Sequence, residues 1–89
     1  MAEISFSIKN KVGLHARPAS LFVREASKFK SEITVYNGDH QANAKSILNV
    51  LGLGANQGTT ITIRAQGEDA DEALKALAEL NESNYGEAE

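Results

Sequence analysis

The sequence predicts an α+β fold, a two-layer sandwich with three helices over one face of a mostly antiparallel four-stranded sheet. Three observations carry this. Stretches alternating apolar and polar residues are interleaved with stretches of helical spacing. Read along the chain they give the order βαββαβα. Each strand offers one apolar face and each helix one apolar stripe, and two layers bury both sets most economically. The other sheet face is expected to be wet.

Glu3 to Lys9 alternates, with Ile4, Phe6 and Ile8 on one side, and reads as a half-buried strand. From Ala16 to about Lys28 the spacing becomes helical and places Ala19, Phe22, Val23 and Ala26 on one side. Glu32 to Tyr36 alternates again through Ile33 and Val35, and Asn37-Gly38 signals a hairpin with a type I′ turn, because both central residues tolerate positive φ. A return strand over about Gln41 to Asn43 follows. Ser46 as N-cap and Gly52 and Gly54 as stop bracket a short helix, Ile47 to Leu51. Thr59 to Ala65 is the clearest strand, with Thr60, Thr62 and Arg64 opposite Ile61, Ile63 and Ala65. Asp69-Ala-Asp-Glu72 resembles a capping box, opening a last helix that buries Ala73, Leu74, Leu77 and Leu80. The tail from Gly86 to Glu89 is expected to fray.

The 89 residues fit one domain, residues 1–89, with no room for a substrate domain beside a cofactor domain. Chemistry is therefore expected at the surface rather than in a large cavity. An apolar fraction of 42% marks a globular chain rather than a disordered one. Cysteine is absent, which removes disulfides and thiolate chemistry and fits a reducing, cytoplasmic setting. MAEISFSIKN has no apolar signal core, and no apolar run reaches the length of a membrane span. A net charge of −3 argues against nucleic acid and leaves proteins as the expected partners.

The segment that carries chemistry is Gly13-Leu14-His15-Ala16-Arg17-Pro18-Ala19-Ser20, where the first strand gives way to the first helix. His15 falls at or just before the N-cap, so the backbone N–H groups of Ala16 and Arg17 lack intrahelical partners and face a prospective anion. Pro18 lies in the first turn, where its missing N–H costs nothing. Arg17 adds a guanidinium suited to phosphoryl oxygens. The positive helix end disfavours an imidazolium, which keeps the ring nucleophilic, and would hold a phosphoryl group loosely, each interaction contributing roughly 0.3–1 kcal/mol. On local physics alone, His15 reads equally well as a polar loop residue and Arg17 as a solvated charge.

Gly13-Leu-His-Ala-Arg-Pro-Ala19 resembles the active-site signature of HPr, the histidine-containing phosphocarrier family of the bacterial phosphotransferase system. Ala26-Ser-Lys-Phe29, the Asn37-Gly38 turn, Asn43-Ala-Lys-Ser-Ile47 and the Gly67 to Asp71 region resemble it in order and spacing, so the likeness covers nearly the whole chain. The resemblance implies an open-faced β-sandwich. It further implies that His15 accepts a phosphoryl group at Nδ1 from phosphorylated Enzyme I, itself charged by phosphoenolpyruvate, and donates it to Enzyme IIA domains of sugar transporters, with Arg17 assisting. The carrier would be a cytoplasmic monomer, phosphorylated and dephosphorylated stoichiometrically by its partners, with no cofactor and no catalysis of its own.

Ser46 has a structural role as N-cap and, through the resemblance, a regulatory one. In HPr proteins of many Gram-positive-type bacteria the matching serine is phosphorylated by an HPr kinase/phosphorylase. Asn49 departs from the glycine that many relatives carry, and Gly52 from their small polar residue, which weakens that implication. So short a helix cannot bury all its apolar residues. Val50 is the expected core member, with Ile47, Leu48 and Leu51 partly exposed. Singly exposed apolar residues are ordinary, but beside a transfer site they also suit transient docking. The resemblance adds Ser20 and Arg24 to that surface, although Arg24 reads equally as a solvated arginine.

His40 has no companion at metal-ligand spacing and reads as a solvated turn residue. Gly52-x-Gly54-x-x-x-Gly58 lacks the dinucleotide fingerprint. Asp69, Asp71 and Glu72 read as helix-start residues rather than metal ligands. Two rival functions stand beside the carrier. A regulator acting only through Ser46 would typically lack the phosphorylatable histidine, which is present. A small-molecule binder would need a pocket for which no residues are set aside. Within the family, a nitrogen-related or other regulatory phosphorelay is the alternative to sugar uptake.

Overall fold

Alternation and helical spacing are realised in the order β1 (Ala2–Ser7), α1 (Ala16–Ala26), β2 (Glu32–Asn37), β3 (His40–Asn43), α2 (Ile47–Leu51), β4 (Thr60–Gln66) and α3 (Ala70–Glu82), followed by a 3₁₀ turn at Asn84–Gly86. This computed structural model describes residues 2–86. Of the tail expected to fray, Gly86 is described and 87–89 lie outside the described residues.

The four strands form one antiparallel sheet in the order β1-β4-β2-β3. Its register puts like with like: Ile4 faces Ile63, Phe6 faces Ile61, and Val35 faces Ile63 on one side and Ala42 on the other. Ile33, Val35, Ala42, Ile61, Ile63 and Ala65 are buried beneath the helices, which contribute Ala19, Phe22, Ala26, Val50, Ala73, Leu74 and Leu77. The open-faced, three-helix sandwich expected from the sequence is the fold observed. Its outer face is polar. Ser5 and Thr62 hydroxyls meet at 2.8 Å, Ser7 and Thr60 at 3.2 Å, and the Arg64 guanidinium lies 5.4 Å from the Tyr36 ring centre.

Five expectations are corrected. Val23 is only half-buried, because it sits about a quarter-turn round α1 from Phe22, while Pro18 is buried in its place. Leu80, expected to be buried by the last helix, is only half-buried at the margin of the core, while Asn81 beside it is buried. The Asn37-Gly38 pair marks the hairpin but not a type I′ turn. Asn37 pairs with His40, so the loop is Gly38-Asp39, and of these only Gly38 has positive φ, at 61°. Asn37 stays in β2 and its side-chain Nδ2 donates to the Leu53 carbonyl at 2.8 Å. His40 is consequently the exposed first residue of β3 rather than a turn residue. Finally, Asp69 stands at the N-cap of α3 but makes no side-chain capping bond.

The Asp69 carboxylate turns instead to the loop before β2. It accepts from the Ser31 hydroxyl, and from the backbone N–H of Lys30 at 2.8 Å and of Ser31 at 2.9 Å. These bonds, the Ser31 hydroxyl foremost, lower its pKa from 3.8 to about 2 against a smaller desolvation effect. A depressed folded value stabilises the protein fully above the unfolded pKa, and that contribution is lost as pH falls from 3.8 towards about 2. Asp69→Asn is therefore expected to lower the melting temperature at neutral pH and to flatten its decline between pH 4 and 2. A thermal-melt series across that window checks it, and parallel curves for the two proteins would refute the assignment.

Candidate functional site

Antiparallel pairing of β1 with β4 sets Ser7 against Thr60, so the chain leaving β1 runs beside the chain entering β4. Backbone bonds continue that contact past the strands. Ile8 N–H donates to the Thr59 carbonyl at 2.9 Å, Gly58 N–H to Ile8 at 2.8 Å, and Leu14 N–H to Ala55 at 2.8 Å. The buried Asn10 side chain donates to the Gly13 carbonyl at 3.0 Å, and Leu14 is fully buried. Two loops are thus clamped together immediately before α1, and His15 emerges from the clamp.

His15 is the N-cap of α1, extended at φ −129° and ψ 163°, and half-buried. Its carbonyl accepts from Ala19 N–H at 3.4 Å, which begins the helix. Its side chain does not cap the helix; the ring's Nε2 lies 2.9 Å from Asn56 Oδ1. An amide oxygen only accepts, so with this amide orientation Nε2 is the donor, and in the neutral ring Nδ1 keeps the lone pair. Reading along the sequence missed Asn56, which stands in the glycine-rich stretch weighed only as a nucleotide loop.

Ala16 departs from its expected role as an ordinary first helical residue, because its φ is +49°. A left-handed alanine costs about 1–2 kcal/mol. A left-handed residue running into a right-handed helix bends the backbone in a way that gathers successive N–H groups on one side. The N–H groups of Ala16 and Arg17 precede the intrahelical pattern and Pro18 has none, so the start of α1 leaves backbone donors without intrahelical partners. Arg17 is exposed and makes no ion pair among the described residues, so its guanidinium is available to an anion.

Arg17, Ser20 and Arg24 follow one another at i, i+3 and i+7 and are all exposed on α1. Helices α1 and α2 pack together. On α2, Val50 is buried, Leu51 is half-buried, Ile47 is exposed, and Leu48 is 78% exposed. Val12, on the loop ahead of His15, is a further exposed apolar residue that the periodicity did not single out. Ser46 is the N-cap of α2: its Oγ accepts from Asn49 N–H at 3.4 Å, and its carbonyl accepts from Val50 N–H at 3.0 Å. Asn49, the departure noted above, also accepts weakly from Asn43 N–H at 3.4 Å and so links α2 to β3.

No helix of the described residues is long and apolar enough to cross a membrane. Residues 2–83 match the family model for the PTS HPr component phosphorylation site. A phosphocarrier protein HPr of Mycoplasma capricolum subsp. capricolum is 53% identical over 77 residues, covering 86% of each chain. The crystal structure of HPr-C-His from Thermoanaerobacter tengcongensis superposes with a TM-score of 0.97 at 50% identity, covering 100% of both chains. A structure described as an HPr dimer from the same organism gives 0.79 at 52% identity, covering 98% of this chain and 100% of that one. With the predicted fold and a match along nearly its whole length, this chain belongs to the HPr family of phosphotransferase-system phosphocarriers.

Proposed function

We propose that the chain acts as one cytoplasmic domain that accepts a phosphoryl group from phosphorylated Enzyme I on Nδ1 of His15 and hands it to Enzyme IIA domains for sugar uptake. The observation that carries this reading is the His15 ring at the start of α1 with its Nε2 engaged by Asn56, which leaves Nδ1 as the nucleophile. In acceptance, the Nδ1 lone pair forms the N–P bond while the bond from phosphorus to the donor breaks and its electrons leave with the donor. Donation reverses the sequence towards a new acceptor. Arg17 and the N–H groups of Ala16 and Arg17 offset the phosphoryl charge. The chain is consumed and regenerated stoichiometrically by its partners rather than catalysing turnover, and it works as a monomer. Incubation with phosphoenolpyruvate and a catalytic amount of Enzyme I is expected to place one acid-labile phosphate on each chain, which an Enzyme IIA domain then removes. Uptake of no phosphate would defeat the reading.

Ser46 is proposed as a second, regulatory site for an HPr kinase/phosphorylase, and Ser20, Arg24, Ile47, Leu48 and Leu51 as the partner-docking surface. Exposure of Ile47, Leu48 and Arg24 supports that surface. Phosphorylation of Ser46 would add a charge of about −1.5 to −2 at the end of α2 that adjoins these residues. It would suit the helix start yet oppose apolar docking. Ser46→Asp is expected to raise the KM for phosphorylation by Enzyme I several-fold with little change in melting temperature, because aspartate also caps helices. Steady-state phosphorylation kinetics check it, and an unchanged KM would leave Ser46 with its capping role alone.

A further inference from the structure

We infer that Asn56 is a positioning residue for phosphoryl transfer: its side-chain carbonyl holds the ring proton of His15 on Nε2, both before and after Nδ1 is phosphorylated. The inference rests on the carrier reading above and goes beyond it by assigning the residue that governs the ring.

The contact is built from both sides. Asn56 N–H donates to Thr59 Oγ1 at 3.2 Å, and Thr59 N–H returns a bond to the Asn56 carbonyl at 3.0 Å, closing a tight turn. That turn is fastened to the loop carrying His15. Ala55 accepts from Leu14 N–H at 2.8 Å, and the Gln57 side chain donates to the Lys9 carbonyl at 3.1 Å. The 2.9 Å separation of ring and amide is therefore set by two interlocked backbones.

The ring's two nitrogens compete for one proton, and only the unprotonated one can attack phosphorus. A fixed acceptor beside Nε2 selects the tautomer in which Nδ1 is free. As the N–P bond forms, positive charge spreads into the ring and Nε2–H becomes a stronger donor, so the bond to Asn56 strengthens in the transition state, where it accelerates the step. On donation the N–P electron pair returns to Nδ1. If Nε2 keeps its proton, the leaving group is neutral imidazole; without that proton it would be imidazolate, a far poorer leaving group. The same hydrogen bond serves both directions and leaves the proton where it began.

The test uses the full chain with Asn56→Leu and Asn56→Asp. Ring 15N chemical shifts of unphosphorylated His15 report the tautomer, and acceptance from Enzyme I and donation to an Enzyme IIA domain are each resolved into kcat and KM. Asn56→Leu is expected to shift the ring towards the mixed tautomers of free imidazole and to lower kcat in both directions by roughly three- to tenfold, the scale of one exposed hydrogen bond, with KM and melting temperature unchanged. Asn56→Asp, which keeps an acceptor oxygen in place, is expected to retain the Nε2–H spectrum. Wild-type ring shifts and rates in Asn56→Leu would overturn the proposal alone. A change confined to KM, with the ring spectrum intact, would make Asn56 a docking residue and overturn it equally. A wild-type chain that takes up no phosphate would sink the carrier reading with it.

Discussion

His15→Ala is expected to abolish labelling: the single acid-labile phosphate formed with phosphoenolpyruvate and Enzyme I falls to none, while the fold survives. The loss should be complete because the substitution removes the proposed nucleophile itself. The other histidine, His40, begins β3 at one edge of the sheet, whereas the loop carrying His15 leaves β1 at the opposite edge. Label cannot migrate from one ring to the other. The imidazole is half-exposed and, among the described residues, its hydrogen bond goes to Asn56, so the stability change should stay within about 1 kcal/mol. Arg17→Ala offers the contrast. It would remove a charge proposed to meet the phosphoryl group but leave Nδ1 intact, so transfer should slow by roughly ten- to a hundredfold without vanishing. Stoichiometry by mass spectrometry under mild alkali distinguishes the two. Full labelling of His15→Ala would move the acceptor elsewhere in the molecule.

Gly13→Ala is expected to damage stability and transfer together, although residue 13 touches no phosphoryl group. Gly13 has φ +68°, and a β-carbon there would lie 2.4 Å from the Ala55 carbonyl oxygen and 2.7 Å from Asn56 Cα, both backbone atoms that cannot swing aside. The left-handed conformation costs alanine about 1–2 kcal/mol. Forcing the loops apart adds about 1–3 kcal/mol, as overpacking generally does. A total of about 2–5 kcal/mol is a large share of the 5–15 kcal/mol that holds a small domain together. The displaced atoms belong to the turn that presents Asn56 to the ring, so kcat for phosphorylation should fall even at temperatures where the variant remains folded. Denaturant melts and single-turnover kinetics at low temperature separate the two effects. A variant as stable as wild type would mean that the loops part more easily than their contacts imply.

All three substituted residues lie in the segment that sequence reasoning singled out, yet only part of the arrangement was legible there. The strands were readable because burial on one face imposes a period of two, as Thr60 to Ala65 shows without interruption. The place of His15 was readable because Pro18 and the change of period fix where α1 begins. Asn56 was not, since it is 41 residues away and reaches the ring only through the pairing of β1 with β4, which no local pattern encodes. Ala16 carried no signal either, because alanine has no preference for the left-handed conformation that the clamped loops impose. At Asp69 the local pattern was outcompeted: three donors from Lys30 and Ser31 satisfy the carboxylate better than the N–H groups of its own helix. The hairpin moved by one residue because strand register, rather than the Asn-Gly pair, decides which residues are left for the loop.

The hydroxyl-lined outer side of the sheet has a practical consequence. Ser5, Ser7, Thr60 and Thr62 are small, lie across the sheet from the core, and belong to a chain without a single sulfhydryl. A lone thiol introduced there could carry a fluorophore or spin label that watches a partner arrive and depart while the reacting end of the molecule stays chemically native. The sheet face that lends no apolar surface to the interior is thereby the natural place to attach a reporter.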